Sequence, residues 1–213
     1  MARLLLTSGP TREYFDPVRY LTNASGGRMG KSLAEAALAS GHSVVIVSGP
    51  VGVAYPPEAE VIHVVTTTEM RDACLEVFPS CDGVIGVAAP CDYRPAAVSD
   101  RKLQKTGQPL LLELEETPDI LSALARVKEG RPMVAFALET DDAVRRAQQK
   151  LRKKGCDLIV LNGLDAMQSA HTAVRVINSD GEIIAQSSGE KEVVATDLME
   201  LFDATFNGWE RLD

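Results

Sequence analysis

Short apolar runs alternate along this chain with longer stretches in which apolar positions recur every three or four residues. The runs at residues 4–6, 44–47, 61–65, 84–89, 133–136 and 158–161 predict strands. They are nearly continuous in apolar side chains, which is the pattern of strands covered on both faces. Residues 28–40, 68–78 and 141–154 predict helices between them. The first puts Met29, Leu33, Ala36, Ala37 and Leu38 on its apolar side and stops at Gly41. This alternation predicts an α/β, Rossmann-like doubly wound fold: a mainly parallel sheet with helices on both faces. The C-terminal pattern differs. Residues 173–177 and 182–186 flank Asn178-Ser179-Asp180-Gly181 and predict a β-hairpin, followed by a last helix over 190–206. With no repeat and no low-complexity linker, residues 1–213 read as one domain.

Composition narrows the partners. A formal net charge of −8 argues against a general binder of nucleic acid or anionic membrane. No uncharged apolar run approaches the roughly 18 residues of a membrane span. The N-terminus enters a strand-like run at once, without the ordered regions of a signal peptide, so a cytoplasmic protein is expected. Cys74, Cys81, Cys91 and Cys156 form no Cys-x-x-Cys pair and read as buried thiols. His42, His63 and His171 are far apart, which leaves little basis for a zinc site or a Ser-His-Asp triad.

Ligands of open α/β sheets bind beyond the C-terminal ends of the strands, so the residues after each strand carry the chemistry. Thr7-Ser8-Gly9-Pro10-Thr11-Arg12 follows the first strand, and Ser25-Gly26-Gly27-Arg28-Met29-Gly30 opens the first helix. Small residues there let backbone N–H groups approach an anion; close packing is the alternative use. Gly-x-Gly-x-x-Gly is absent. After the fourth run, Asp92 stands at a strand end, where it can accept ligand hydrogen bonds, hold a metal or cap a turn. Thr117-Pro118 before an apolar stretch predicts Thr117 as N-cap and Pro118 as first helical residue. Phe136 ends a strand and can pack on a base or in the core. Lys150 and Lys154 share one helical face. Residues 101–105 and 145–154 together hold nine of the 22 basic residues. In an acidic chain that clustering points to a compact polyanion such as a nucleotide triphosphate, although cations also suit a helix C-terminus.

The order of these segments is more telling than any one. Gly-Pro-Thr-Arg, Asp-Pro-Val-Arg-Tyr-Leu-Thr-Asn, Gly-x-Met-Gly, Val-Ser-Gly-Pro-Val, Ala-Ala-x-x-Asp-Tyr-Arg-Pro, Lys-Leu-x-Lys, Thr-Pro-Asp-Ile-Leu, Phe-Ala-x-Glu-Thr and Lys-Leu-x-x-Lys-x-x-Asp-Leu-Ile-Val-x-Asn occur in sequence. Over about residues 3–205 the chain resembles the phosphopantothenate–cysteine ligases (phosphopantothenoylcysteine synthetases) of coenzyme A biosynthesis. In many bacteria that ligase is fused behind a flavoprotein decarboxylase. Since the chain starts at the ligase's first strand, the resemblance implies a free-standing ligase with a separate decarboxylase partner.

The resemblance implies a two-step reaction. The carboxylate of 4′-phosphopantothenate attacks the α-phosphate of CTP (or ATP), with Mg²⁺, giving an acyl-nucleotidylate. The amine of L-cysteine then displaces the nucleotide monophosphate. By motif, Asn23 is the residue at the acyl group and Lys102 the mobile-loop lysine that closes over the phosphates. Gly86, Val87, Ala88, Ala89 and Asp92 match the nucleotide's strand end. Pro118, Asp119, Ile120, Leu121 and Phe136 match the base side, and Lys150 and Lys154 the triphosphate contacts. A homodimer is implied; the metal ligands are not. The chain departs from the family pattern at Pro90-Cys91 (commonly Val-Ala), at Gln104 (frequently Lys) and over residues 166–172. Two competing readings are an NAD(P)-dependent oxidoreductase and a non-catalytic, nucleotide-binding relative. The first wants a Gly-x-Gly fingerprint and a Tyr-x-x-x-Lys pair, and the chain has neither.

Overall fold

The computed structural model describes residues 1–138, 143–163 and 170–212. Six parallel strands form the body of one sheet: β1 (Arg3–Ser8), β4 (Ser43–Ser48), β5 (Glu60–His63), β6 (Gly83–Gly86), β9 (Met133–Leu138) and β10 (Leu158–Asn162). Two antiparallel strands, β11 (His171–Asn178) and β12 (Ile183–Glu190), extend it at one edge. The strand order is β12-β11-β10-β9-β6-β1-β4-β5. The mainly parallel sheet and its C-terminal hairpin are therefore as the apolar pattern predicts.

Each face is covered. Side chains alternate across a strand, so Leu4 and Leu6 pack with α1 (Arg28–Ala39) and α5 (Lys191–Thr205), while Leu5 faces the opposite layer. That layer holds α2 (Thr67–Val77), α3 (Ile120–Ala125) and α4 (Ala143–Lys154). Leu4, Leu5 and Leu6 have no exposed surface, and each contributes roughly 1.5–3 kcal/mol by its burial. At α2, Thr66 and Glu69 form a reciprocal capping box that fixes the helix start.

Three expectations are corrected. The run at 84–89 is a strand only to Gly86; Val87 and Ala88 leave the ladder, and Ala89 forms an isolated bridge with Pro10. The cap of α3 is Asp119, whose carboxylate accepts from Ser122 N at 3.0 Å, not Thr117. Thr117 instead donates its hydroxyl to Cys91 O, and Pro118 lies outside the helix. Two small antiparallel pairs stand outside the predicted strands: β2 (Arg12–Asp16) with β3 (Arg19–Thr22), and β7 (Tyr93–Pro95) with β8 (Leu114–Glu116). Residues 141 and 142 of the predicted fourth helix, and most of the departing stretch at 166–172, lie outside the described residues.

Sheet order decides where a ligand can bind. β1 has β4 on one side and β6 on the other, so the chain winds in opposite directions from that pair. A crevice opens beyond the C-terminal ends of strands at such a switch.

Candidate active site

The crevice at the β1–β6 switch is a cavity of about 810 Å³. Its wall is built from the start of α1, the segment after β6, the ends of β9 and β10, and the start of α5. A second cavity of about 260 Å³ adjoins it, sharing Ala88, Pro90, Asp92 and Phe136.

The segment after β6 is held rigidly. Ala88 N donates to Thr7 Oγ1 at 3.2 Å, and Ala89 N to Gly9 O at 2.9 Å. Cys91 N donates to Thr11 Oγ1 at 2.8 Å, while the hydroxyls of Thr67 and Thr117 both donate to Cys91 O. The buried threonines thus clamp the turn that presents Asp92. Cys91 is buried beneath it, and burial raises its pKa above that of a free thiol. Burial likewise pushes Cys74 and Cys156 up to about 12, and all four cysteines are buried and free. They are packing groups rather than nucleophiles.

Asn23 reaches across from the β3 side. Its Nδ2 donates to Pro90 O at 2.9 Å and to Ala89 O at 3.3 Å. The helix start beside it is made for close approach. Gly27 caps α1 at φ 75° with no side-chain hydrogen bond, and no acidic residue occupies the first turn. The first-turn N–H groups there carry the helix's partial positive charge. A Cβ on Gly30 would stand 2.1 Å from Ser8 Oγ, so only glycine lets α1 lie this close to β1.

In the smaller cavity Lys154 Nζ lies 3.0 Å from Asp119 Oδ2. Burial alone would raise the Asp119 pKa, but the Ser122 N–H bond and the Lys154 charge outweigh it and hold the carboxyl low. Lys153 lines the same cavity, with Gly86, Pro118, Ile120 and Leu121. Asn23, Val87, Ala89 and Lys150 line only the larger one. Two walls therefore collect every residue singled out from the sequence except Lys102.

Lys102 is exposed and lines neither cavity. Its neighbour Leu103 is tied down: Leu103 N donates to Asp16 Oδ2 at 3.2 Å, and Arg19 Nη2 donates to Leu103 O at 2.6 Å. Burial tends to raise the Asp16 pKa, yet bonds from Arg19, Val18 N and Leu103 N lower it to about 2.

The family model described as "DNA/pantothenate metabolism flavoprotein C-terminal domain" matches residues 1–205. The chain belongs to this family. It is 44% identical over 164 residues to the coenzyme A biosynthesis bifunctional protein CoaBC of Bacillus subtilis, covering 76% of the chain and 40% of that protein. Other CoaBC relatives are matched over as much as 51% of their length, so the chain spans about half or less of the curated relatives it resembles. A crystal structure of the C-terminal domain of a CoaBC protein superposes with a TM-score of 0.83 at 35% identity, covering 96% of this chain and 95% of that one. A Cab2 variant solved with phosphopantothenate-cysteine shares the fold at a TM-score of 0.74 and 17% identity, covering 95% and 86% of the two chains.

Within this family member, three groups that sequence reasoning passed over line the larger cavity: Arg28, Asn162 and Lys191. Asn162 ends β10, inside the quoted Asp-Leu-Ile-Val-x-Asn motif, so position was its available signal. Lys191 is 7% exposed. Nothing in its polar sequence neighbourhood marks it as buried.

Among the described residues, no group of three or more His, Cys, Asp or Glu is placed to hold a metal. Among the described residues, Asp92 is the one carboxylate lining the larger cavity, and Glu116 and Asp119 join it in the smaller. This set does not fit a protein-built metal cage. It does fit Mg²⁺ carried in on phosphates and held through one carboxylate. No helix among the described residues is long and apolar enough to cross a membrane.

Proposed function

We propose that this chain ligates 4′-phosphopantothenate to L-cysteine through an acyl-nucleotidylate, with CTP as the nucleotide. The observation that carries the reading is the pair of joined cavities. One offers a helix start with no side-chain cap and Asn23, the other Lys153 and Lys154, with Asp92 and Phe136 between them. Such a shape accepts two phosphate-bearing ligands and brings them together at the shared wall. The CoaBC relatives, named for coenzyme A biosynthesis, support the pathway.

In the first step a carboxylate oxygen of the acid bonds to the α-phosphorus and pyrophosphate leaves. The protein's task is to align the two anions and offset their charge. Lys150 and Lys154 face the phosphates, Phe136 packs on the base, and Asp92 meets the sugar and would hold the metal. Mg²⁺, when bound, supplies further positive charge to the phosphates. Lys102 reaches the site only when its loop moves. In the second step the cysteine nitrogen bonds to the acyl carbon, the nucleotide monophosphate leaves, and the amine proton passes to solvent. The Asn23 amide group is pinned through Nδ2 to Ala89 O and Pro90 O. Its Oδ1 then serves as the acceptor that orients the incoming amine.

The proposed assembly is a homodimer. Val18, Tyr93, Val98, Leu110 and Leu111 are large hydrophobic residues that are half or more exposed, around the small β2–β3 and β7–β8 pairs. A light-scattering mass near twice 22.9 kDa is expected, and a mass near the single value would reject it. A flavoprotein decarboxylase is the partner activity that would take the product.

Pyrophosphate release with 4′-phosphopantothenate, Mg²⁺ and L-cysteine, comparing CTP with ATP, tests the activity. Release that requires the phosphopantothenate supports carboxylate activation, and the faster nucleotide names the co-substrate. No release from folded protein with either nucleotide rejects the ligase reading.

A further inference from the structure

Two carbonyls pin the Asn23 side chain, and those carbonyls must themselves be held. The Ala89–Pro90 peptide has no N–H by which it can be anchored, because its nitrogen belongs to proline. Pro90 is one of the chain's departures from the family pattern, so more of the task falls on the next peptide. That Pro90–Cys91 unit is anchored at both ends. Its C=O accepts from Asn23 Nδ2 at 2.9 Å, and its N–H donates to Thr11 Oγ1 at 2.8 Å. A peptide is planar, so turning the N–H end turns the C=O end with it. One rigid unit therefore connects Thr11 to the amide of Asn23.

Thr11 is itself firmly placed. It has no exposed surface, and its hydroxyl lies 2.8 Å from Thr67 Oγ1. Thr67 Oγ1 in turn donates to Cys91 O at 3.3 Å. The arrangement that satisfies every group is a closed ring: Cys91 N–H to Thr11, the Thr11 hydroxyl to Thr67, and the Thr67 hydroxyl to Cys91 O. Thr67 is the first residue of α2, and its N–H donates to Oε1 of the buried Glu13 at 2.8 Å. Thr11 also holds the main chain beside Asn23, since its carbonyl accepts from Thr22 Oγ1 at 2.7 Å. The backbone that carries Asn23 and the carbonyl that orients its side chain are thus tied to one buried residue.

Resting on the ligase reading, we infer that Thr11 is a positioning residue for cysteine addition, orienting the Asn23 amide through the Pro90–Cys91 peptide. Thr11 lines neither cavity, so its effect passes through Asn23 and not through contact with a ligand. Without the hydroxyl, the Cys91 N–H is buried and unpaired, which favours rotation of the peptide toward another acceptor. Pro90 O then turns away from Nδ2, and Asn23 Oδ1 loses its fixed direction.

Single-turnover kinetics of the full chain test this with Thr11→Val, which keeps the shape and removes the hydroxyl, and Thr11→Ser, which keeps the hydroxyl. Thr11→Val should slow cysteine addition at least tenfold, about 1.4 kcal/mol of barrier. Pyrophosphate release and the KM values for CTP and 4′-phosphopantothenate should stay within threefold. Thr11→Ser should recover cysteine addition to within threefold of the wild type. Beside Asn23→Ala, Thr11→Val should cost less than a further twofold, because the group it orients is gone. A loss of twofold or more in that background, or no recovery in Thr11→Ser, would overturn the assignment in favour of a general structural role. Unchanged cysteine addition in Thr11→Val would overturn it outright. Should Thr11→Val fail to fold, Thr67→Val opens the ring at its next member and should slow cysteine addition at least threefold, again with no further loss beside Asn23→Ala; an unchanged rate rejects the proposal. The side-chain amide NMR signals of Asn23, assigned by their absence in Asn23→Ala, report the geometry without turnover. They should move to the position of solvated amides in Thr11→Val and return in Thr11→Ser. That result in a protein that releases no pyrophosphate keeps the link from Thr11 to Asn23 and rejects the ligase. Ligase turnover with Asn23 signals unmoved by Thr11→Val does the reverse.

Discussion

Replacing Gly30 by alanine sets two sizeable terms against each other. In an exposed helix interior the change would stabilise by about 1 kcal/mol, because alanine is the better helix former. Here the new Cβ would stand 2.1 Å from Ser8 Oγ, 2.7 Å from Ser8 Cβ and 3.4 Å from Val87 Cγ1. Ser8 is fully buried at the end of β1 and has nowhere to swing. Overpacking of this kind costs about 1–3 kcal/mol, and two contacts under 3 Å place the site in the upper half of that range. The expected net loss is about 1–2 kcal/mol. For a chain of this size that is a fall in Tm of about 2–8 °C. The strain also pushes α1 off the β1–β6 switch, where the larger cavity opens. Thermal melting of the wild type, Gly30→Ala, Ser8→Gly and the double variant measures the coupling directly. The double variant removes both clashing serine atoms, so Gly30→Ala should cost less in the Ser8→Gly background than alone. A Tm that rises in Gly30→Ala, or a double variant that shows simple additivity, would refute the argument from close approach.

Acid should loosen the Lys102 loop through Asp16. Its folded pKa of about 2 lies below the ordinary 3.8, so its contribution is complete above pH about 4 and is lost as the pH falls through 2. Asp16→Asn should lower Tm near neutral pH and flatten the fall between pH 4 and 2; an identical acid slope in the variant would count against it. Lys102→Ala should lower kcat at least tenfold while moving Tm by less than about 2 °C, since surface changes cost within about 0.5 kcal/mol; a large loss of Tm would make Lys102 structural. Asn23→Asp should slow cysteine addition more than pyrophosphate release, measured in single-turnover experiments. Equal slowing of both steps would remove Asn23 from the second.

The sheet was legible because its physics writes long, simple patterns. Strands buried on both faces need nearly unbroken apolar runs, and β1, β4, β6, β9 and β10 have them. The β2–β3 and β7–β8 pairs were not legible for the complementary reason. β8 is exposed throughout, and Tyr93–Pro95 finds its partner across about 20 residues of sequence, so neither period nor turn chemistry marks that pair; β2 and β3 flank a turn at Asp16-Pro17 but are short and only partly buried. The α3 cap shows a finer limit. Thr117 and Asp119 both have N-cap side chains, and local propensity ranks them closely. What separates them is tertiary: Cys91 O takes the threonine hydroxyl, while Lys154 supports the aspartate at the helix start.

The candidate site divides along the same line. Residues that follow strands could be placed in advance, because a parallel sheet delivers every strand's C-terminal end to one edge. Asn23, Asp92 and Phe136 needed only that rule to meet at one cavity. Lys191 needed more. Its surroundings, Gly189-Glu190-Lys191-Glu192, look like the solvated start of an amphipathic helix. The lysine becomes buried only because α5 packs beside α1 on the same face of the sheet, which brings two helix starts to one wall. Sequence position alone cannot show this, because the burial of Lys191 is set by which helices the sheet brings side by side.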